Sequence, residues 1–237
     1  MMTFAHTNNC FVAGASRGVG FEVVKGLLQS GYRVMALLRT DDARSQLAAI
    51  GSQVSIGDAL DFPTLQSAVH CFGDAPFSLV TTIGGKGMER DAPRSDYLGN
   101  RHLVDAVKTL PCERFVLVSS IGVRESAVAL PEPVLETLRP ALLAKAKAEE
   151  HLMASGIPYT IVRPGGLLSE PATGNGLLTT DAHVAGTIAR ADVADLVIRC
   201  LSSTAAENQV LSAVDRDRIR SDQPFTPFVL ERDAHEE

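Results

Sequence analysis

Seven consecutive residues, Gly14, Ala15, Ser16, Arg17, Gly18, Val19 and Gly20, carry the strongest chemical signal in the chain. They follow the apolar run Cys10–Ala13 and precede Phe21, Val23, Val24, Leu27 and Leu28 at helical spacing. A chain that passes from strand to helix in so few residues needs glycine where φ is positive, and a pyrophosphate can approach the backbone only where side chains are absent. The helix opening at Gly18 directs its unpaired N–H groups and positive dipole end at that anion. The next apolar run, Arg33–Leu38, ends at Arg39, where an NAD-selective protein would carry Asp or Glu for the ribose diol. Arginine there pairs with a 2′-phosphate, and Arg17 reaches the same group from within the turn. The two arginines predict NADP(H) as cofactor, with Asp41 and Asp42 keeping open an acid near the ribose.

These groups need a scaffold, and the rest of the chain supplies its rhythm. Apolar runs at Cys10–Ala13, Arg33–Leu38, Gln53–Ile56, Phe77–Ile83, Arg114–Ser119 and Pro158–Val162 alternate with helical periodicity over Gly18–Ser30, Asp42–Ile50, Phe62–His70, Ser95–Thr109, Pro133–Ser155 and Arg190–Leu201. The pattern predicts an α/β fold, a Rossmann-type doubly wound parallel β-sheet with helices on both faces, in a single domain over 1–237. Ser30-Gly31 and Ser155-Gly156 read as helix stops, and Gln209–Val214 as a possible last strand. Residues 167–190 fall on the substrate side, with a loop expected over 174–186, and the tail from about 215 reads as loop or edge. Leu135, Leu138, Leu142, Leu143 and Leu152 are expected to face the core.

With 237 residues, 45% of them hydrophobic, the chain can bury one substantial core. Its net charge of −6 argues against nucleic acid or an anionic membrane surface as partner. Cys10, Cys71, Cys112 and Cys200 are scattered, without CxxC spacing, and His102, His151 and His183 lack paired spacing, so free thiols and no metal are expected. Without a basic n-region, an apolar leader or a membrane-length apolar stretch, the expected location is cytoplasmic.

The Gly-rich turn and several later motifs together resemble the short-chain dehydrogenase/reductase superfamily, in its atypical, NmrA-like branch of NAD(P)H-binding proteins. The later motifs are Gly57-Asp58-Ala59, Thr82-Ile83-Gly84-Gly85, Asp96-Tyr97-Leu98-Gly99-Asn100, the run Phe115–Ser120, Tyr159–Gly166 and Arg190-Ala191-Asp192-Val193-Ala194. The resemblance spans about Cys10 to Leu201. It implies that Asp58 and Ala59 meet the adenine side, that Thr82, Ile83, Gly84, Ser119, Pro164, Gly165 and Gly166 line the cofactor, and that Lys145 holds the nicotinamide ribose. It also implies a hydroxyl at the end of the fifth strand, Ser120 with Ser119 as neighbour, and a tyrosine four residues before the lysine. A phenol beside an ammonium can give or take the proton that hydride chemistry at a carbonyl requires. Ala141 stands in that tyrosine's place. Register could instead assign the lysine role to Lys147, and Tyr97 could approach from a neighbouring helix.

Two function classes follow. One is an NADPH-dependent oxidoreductase on a small carbonyl, quinone or similar acceptor, with Ser120, Lys145 or water managing the proton. The other is a non-enzymatic NADPH-responsive sensor or assembly protein, favoured by Ala141. Either a monomer or a homodimer is compatible with the sequence.

Overall fold

Two βα units open the chain in the computed structural model, which describes residues 8–84, 95–221 and 223–230. Gly85 and the end of the tail lie outside the described residues. Strand β1 (Asn9–Ala13) runs into α1 (Gly18–Gln29), and β2 (Arg33–Leu38) leads to α2 (Arg44–Ala49). β3 (Gln53–Ile56), α3 (Phe62–Val69), β4 (Phe77–Thr81), α4 (Leu98–Val107) and β5 (Cys112–Val118) continue the alternation. After α5 (Glu132–Met153) come β6 (Tyr159–Pro164), β7 (Gly166–Leu168), β8 (Gly176–Thr179), β9 (Ala185–Ala189), α6 (Arg190–Ser202), β10 (Gln209–Asp215) and β11 (Ile219–Arg220).

The main sheet has the order β3-β2-β1-β4-β5-β6-β10-β8 and is parallel except for β8, which runs antiparallel to β10. Strands such as β1 and β4 are buried on both faces, which is why they read as unbroken apolar runs. One face is covered by α1, α2 and α6, whose Val23, Val24, Leu27, Leu47, Val193 and Val197 join one core cluster. The other carries α3, α4 and α5 through Leu65, Leu103, Val107, Ala148 and Leu152. The order reverses between β1 and β4, so the crevice for a ligand opens at the carboxyl ends of these strands.

Local chemistry sets the boundaries. Gly31 (φ +80°) and Gly156 (φ +79°) take left-handed conformations just past α1 and α5, as the two stop signals require. Asp61 caps α3, its carboxylate accepting from Thr64 N at 3.4 Å.

Two expectations need correction. The 174–186 stretch is not one loop: it contains β8 and leads into β9, and β9 forms a small sheet of order β11-β9-β7. These strands are short and held by distant partners, such as Gly166 paired with Thr187, so no local period marks them. On α5, Leu142 and Leu152 are buried, but Leu138 and Leu143 are 39% and 60% exposed because their side of the helix faces away from the sheet. The helix itself, Glu132–Met153 with Pro140 inside it, falls where the periodicity over Pro133–Ser155 places it.

Candidate functional site

The parallel strands deliver their loops to one edge. Gly14 follows β1, Arg39 follows β2, Asp58 and Ala59 follow β3, Thr82 to Gly84 follow β4, Ser119 and Ser120 follow β5, and Pro164 to Gly166 close β6.

The Gly-rich turn is locked against the β4 loop. Thr82 N donates to the Ala13 carbonyl at 3.0 Å, and Thr82 Oγ1 donates to the Gly14 carbonyl at 3.1 Å. A Cβ on Gly20 would lie 2.3 Å from Gly14 O and 2.6 Å from Thr82 Oγ1, so only glycine lets α1 start this close to β1. Gly14 and Gly18 have φ of +84° and +59°, in the left-handed region. Ala15 and Val19 are buried anchors, whereas Ser16 and Arg17 are exposed above them. The bare backbone at Gly18 on the first turn of α1 fits a phosphate, by the N–H and dipole argument.

At the end of β2, Arg39 is exposed, and the two acids after it are occupied. Asp41 pairs with Arg44, and Asp42 accepts the Thr40 hydroxyl at 2.9 Å. Among the described residues neither Arg17 nor Arg39 has an acid within ion-pair distance. The structure therefore leaves both arginines available to a 2′-phosphate.

The residues expected on the adenine side also converge. Asp58 Oδ1 accepts from Leu60 N at 2.9 Å, fixing its loop. A Cβ on Gly99 of α4 would stand 3.1 Å from Ala59 Cβ and 3.5 Å from Ile83, so Ala59, Ile83 and Gly99 form one wall. Asn100, buried on the next position, holds this wall by accepting from Thr81 Oγ1 at 2.7 Å and donating to the carbonyls of Ile83 and Asp96.

On α5, Leu142, Lys145 and Glu149 share one stripe by helical periodicity. Leu142 packs on Gly122, Glu149 accepts from Ser119, and Lys145 lies between them on that stripe. Lys145 Nζ stands 4.0 Å from Asp96 Oδ1, a buried carboxylate that itself lies against Gly84. Lys147 is exposed, its ammonium 5.8 Å from the centroid of the Tyr97 ring, so of the two lysines Lys145 has the buried acid partner. Tyr32 and Tyr159 stand at the opposite, amino edge of the sheet. Tyr97 begins α4 on the correct edge, but its ring packs on the α3–α5 side of the core.

The two serines part company. Ser120 is half-buried and its hydroxyl donates to Ile121 O at 2.8 Å. Ser119, expected at the cofactor, has its hydroxyl committed to Glu149 and its amide to Val162 O at 2.7 Å. Glu149 is fully buried and grips Arg163 through two bonds, Nε to Oε1 at 3.1 Å and Nη2 to Oε2 at 2.7 Å. Burial alone would lower the Arg163 pKa, but Glu149 and then Glu125 outweigh it and hold the guanidinium above its ordinary value. This network depends on residues far apart in sequence, so no motif in the sequence marks it.

Pro164, Gly165 and Gly166 complete the edge. Pro164 O accepts from Ile121 N at 3.0 Å, and a Cβ on Gly165 would meet Gly186 O at 2.3 Å, so the chain passes β9 with no room for a side chain.

Comparison with known proteins gives a consistent picture. The profile described as NAD(P)H-binding matches residues 14–204. A crystal structure described as ChuY, an anaerobilin reductase from Escherichia coli O157:H7, is 31% identical, with a TM-score of 0.79, and the match covers 88% of this chain and 98% of that one. Sanguinarine reductase of Eschscholzia californica is 28% identical over 84% of this chain and 85% of its own length. The chloroplastic Protein TIC 62 of Oryza sativa is 32% identical over 81% of this chain, which spans only 43% of that relative. Among the described residues no helix is long and apolar enough to cross a membrane.

Proposed function

The chain belongs to the NAD(P)H-binding family, in the atypical, NmrA-like branch of the short-chain dehydrogenase/reductases, and on that premise we propose an NADPH-dependent oxidoreductase acting on a small carbonyl, quinone or similar acceptor. The observation that carries the reading is the pairing of the Gly14–Gly20 turn with an Arg39 whose neighbouring acids, Asp41 and Asp42, already have partners. NADPH when bound supplies hydride. The chain's own residues bind and orient: backbone N–H groups at Gly18 and Val19 receive the diphosphate, Arg39 and Arg17 the 2′-phosphate, Asp58 and Ala59 the adenine side. Thr82, Ile83, Gly84, Pro164, Gly165 and Gly166 form the walls, and Lys145, steadied by Asp96, meets the nicotinamide ribose.

Ser120, whose single hydroxyl hydrogen goes to the Ile121 carbonyl, orients an acceptor oxygen by turning that hydrogen to it, and Lys145 supplies positive charge. With Ala141 where a tyrosine would stand, the proton comes from water or the Ser120–Lys145 pair, which suits acceptors that solvent can protonate. The reductase names of ChuY and sanguinarine reductase support this class of chemistry. Four unpaired cysteines fit the reducing cytoplasm. Ala141 also favours a second reading, an NADPH-responsive protein that performs no turnover.

Parallel calorimetric titration with NADPH and NADH tests the cofactor, on the native protein and on Arg39→Ala. Loss of a charge-assisted contact weakens NADPH by about ten- to a hundredfold and leaves NADH unchanged. Consumption of NADPH is then followed with quinones, aldehydes, anaerobilin and sanguinarine. Binding with no consumption on any acceptor favours the sensor, and absence of binding by either nucleotide rejects both readings.

A further inference from the structure

Arg190 opens α6 and lies directly against the phosphate turn. Helices α1 and α6 pack side by side in the same direction: Gly18 meets Arg190, and eight residues further along each helix Gly26 meets Ile198. A Cβ on Gly18 would lie 3.6 Å from both Cδ and Nε of Arg190, which places the guanidinium stem beside the barest stretch of backbone in the turn.

Among the described residues the charge on this arginine has no acidic counterpart. Its Nη1 donates to the Leu167 carbonyl at 3.3 Å and to Ser169 Oγ at 2.6 Å, both neutral acceptors. The cleft between α1 and the segment after β7, about 400 Å³, is lined by Gly18, Glu22, Ser169, Glu170 and Arg190 among others. Each acid there already has its cation, Glu22 with Lys25 at 3.6 Å and Glu170 with Arg218. Among the described residues no carboxylate lies within ion-pair distance of Arg190. In a chain of net charge −6, an arginine without an acid among the described residues, half-buried beside a positive-φ glycine, has the chemistry of an anion-binding group.

We propose that Arg190 binds the diphosphate of the dinucleotide, a contact supplied by neither the glycines nor Arg39. This rests on the cofactor reading above. Because the same guanidinium holds Leu167 and Ser169, the diphosphate and the segment that follows β7 share one cation. Fixing that cation by the nucleotide also fixes the start of the substrate-side segment.

The test uses Arg190→Gln, which keeps an aliphatic stem over Gly18 while removing the charge, titrated calorimetrically with NADPH and NADH. The diphosphate is common to both, so both affinities fall by about ten- to a hundredfold, whereas Arg39→Ala weakens NADPH alone. Arg190→Lys, which keeps charge without the planar fork, restores part of the loss for both nucleotides. Native protein that binds nucleotide together with an Arg190→Gln that binds both equally well overturns the assignment. If Arg190→Gln does not fold, Arg190→Met, which keeps the stem over Gly18 without the charge, decides: affinities within about twofold of native for both nucleotides overturn the proposal, and a joint fall supports it. Native protein that binds neither nucleotide fails the cofactor reading first and this inference with it.

Discussion

Ser119 gives its hydroxyl hydrogen to Glu149 Oε1 across thirty residues of sequence, joining the end of β5 to the C-terminal part of α5. The carboxylate is fully buried and also holds Arg163, which is 3% exposed. Removing one partner of a buried pair strands the other charge, so Glu149→Gln lowers stability by about 3–5 kcal/mol. Ser119→Ala removes one hydrogen bond to a charged acceptor and costs about 1.5–3 kcal/mol. Both variants, read by urea unfolding, keep NADPH affinity within about threefold of native wherever they remain folded. A Ser119→Ala protein of native stability that had lost its nucleotide would return the hydroxyl to the cofactor.

That serine shows where sequence reasoning stops. The Gly14–Gly20 turn was legible because the features that make it work, the preceding strand, the glycines and the following apolar helix, are contiguous. Strands β1, β4, β5 and β6 were legible because burial on both faces leaves long apolar runs. By contrast β8 is an antiparallel edge strand paired through Leu178 with Ala213, and nothing within its own four residues records that partner. The same holds for side chains. Lys145 was found by resemblance, but Asp96, Glu149 and Arg163 acquire their roles only through contacts across elements. Arg190 was singled out only as part of the Arg190–Ala194 motif, and nothing in the sequence records that its stem lies on Gly18.

The thiols give a pH-dependent prediction. Burial pushes the Cys71 thiol up to about 11 and those of Cys112 and Cys200 up to about 12, and raises Cys10 further still. A raised folded pKa means that the unfolded chain loses these protons first as alkali is added. Their contribution is therefore fully present below the ordinary value of 9.0 and is lost as pH climbs through the folded values. Stability measured by urea unfolding should decline steadily from about pH 9 upward. Below that pH, alkylation followed by mass spectrometry should mark half-buried Cys71 first, and Cys10, Cys112 and Cys200 only in denaturant. Rapid labelling of Cys112 in the native protein would contradict the packing of β5 against β4.

Two glycines separate backbone conformation from the demands of the site. Gly31 has φ +80° with nothing within 4 Å of the point where an added methyl would stand, so Gly31→Ala meets only the left-handed penalty, about 1–2 kcal/mol, far from the nucleotide. Gly20 is helical, with no positive φ, yet its added methyl would strike Gly14 O at 2.3 Å and Thr82 Oγ1 at 2.6 Å. Relief requires α1 to retreat from the β1 and β4 loops, which moves the N–H groups that receive the diphosphate. Gly20→Ala should therefore weaken NADPH by at least about tenfold in titration, while Gly31→Ala lowers the unfolding midpoint and leaves affinity unchanged. Equal affinities for the two variants would mean that the dinucleotide does not rest on the first turn of α1, because a shift there is the one consequence that the crowded methyl at Gly20 cannot avoid.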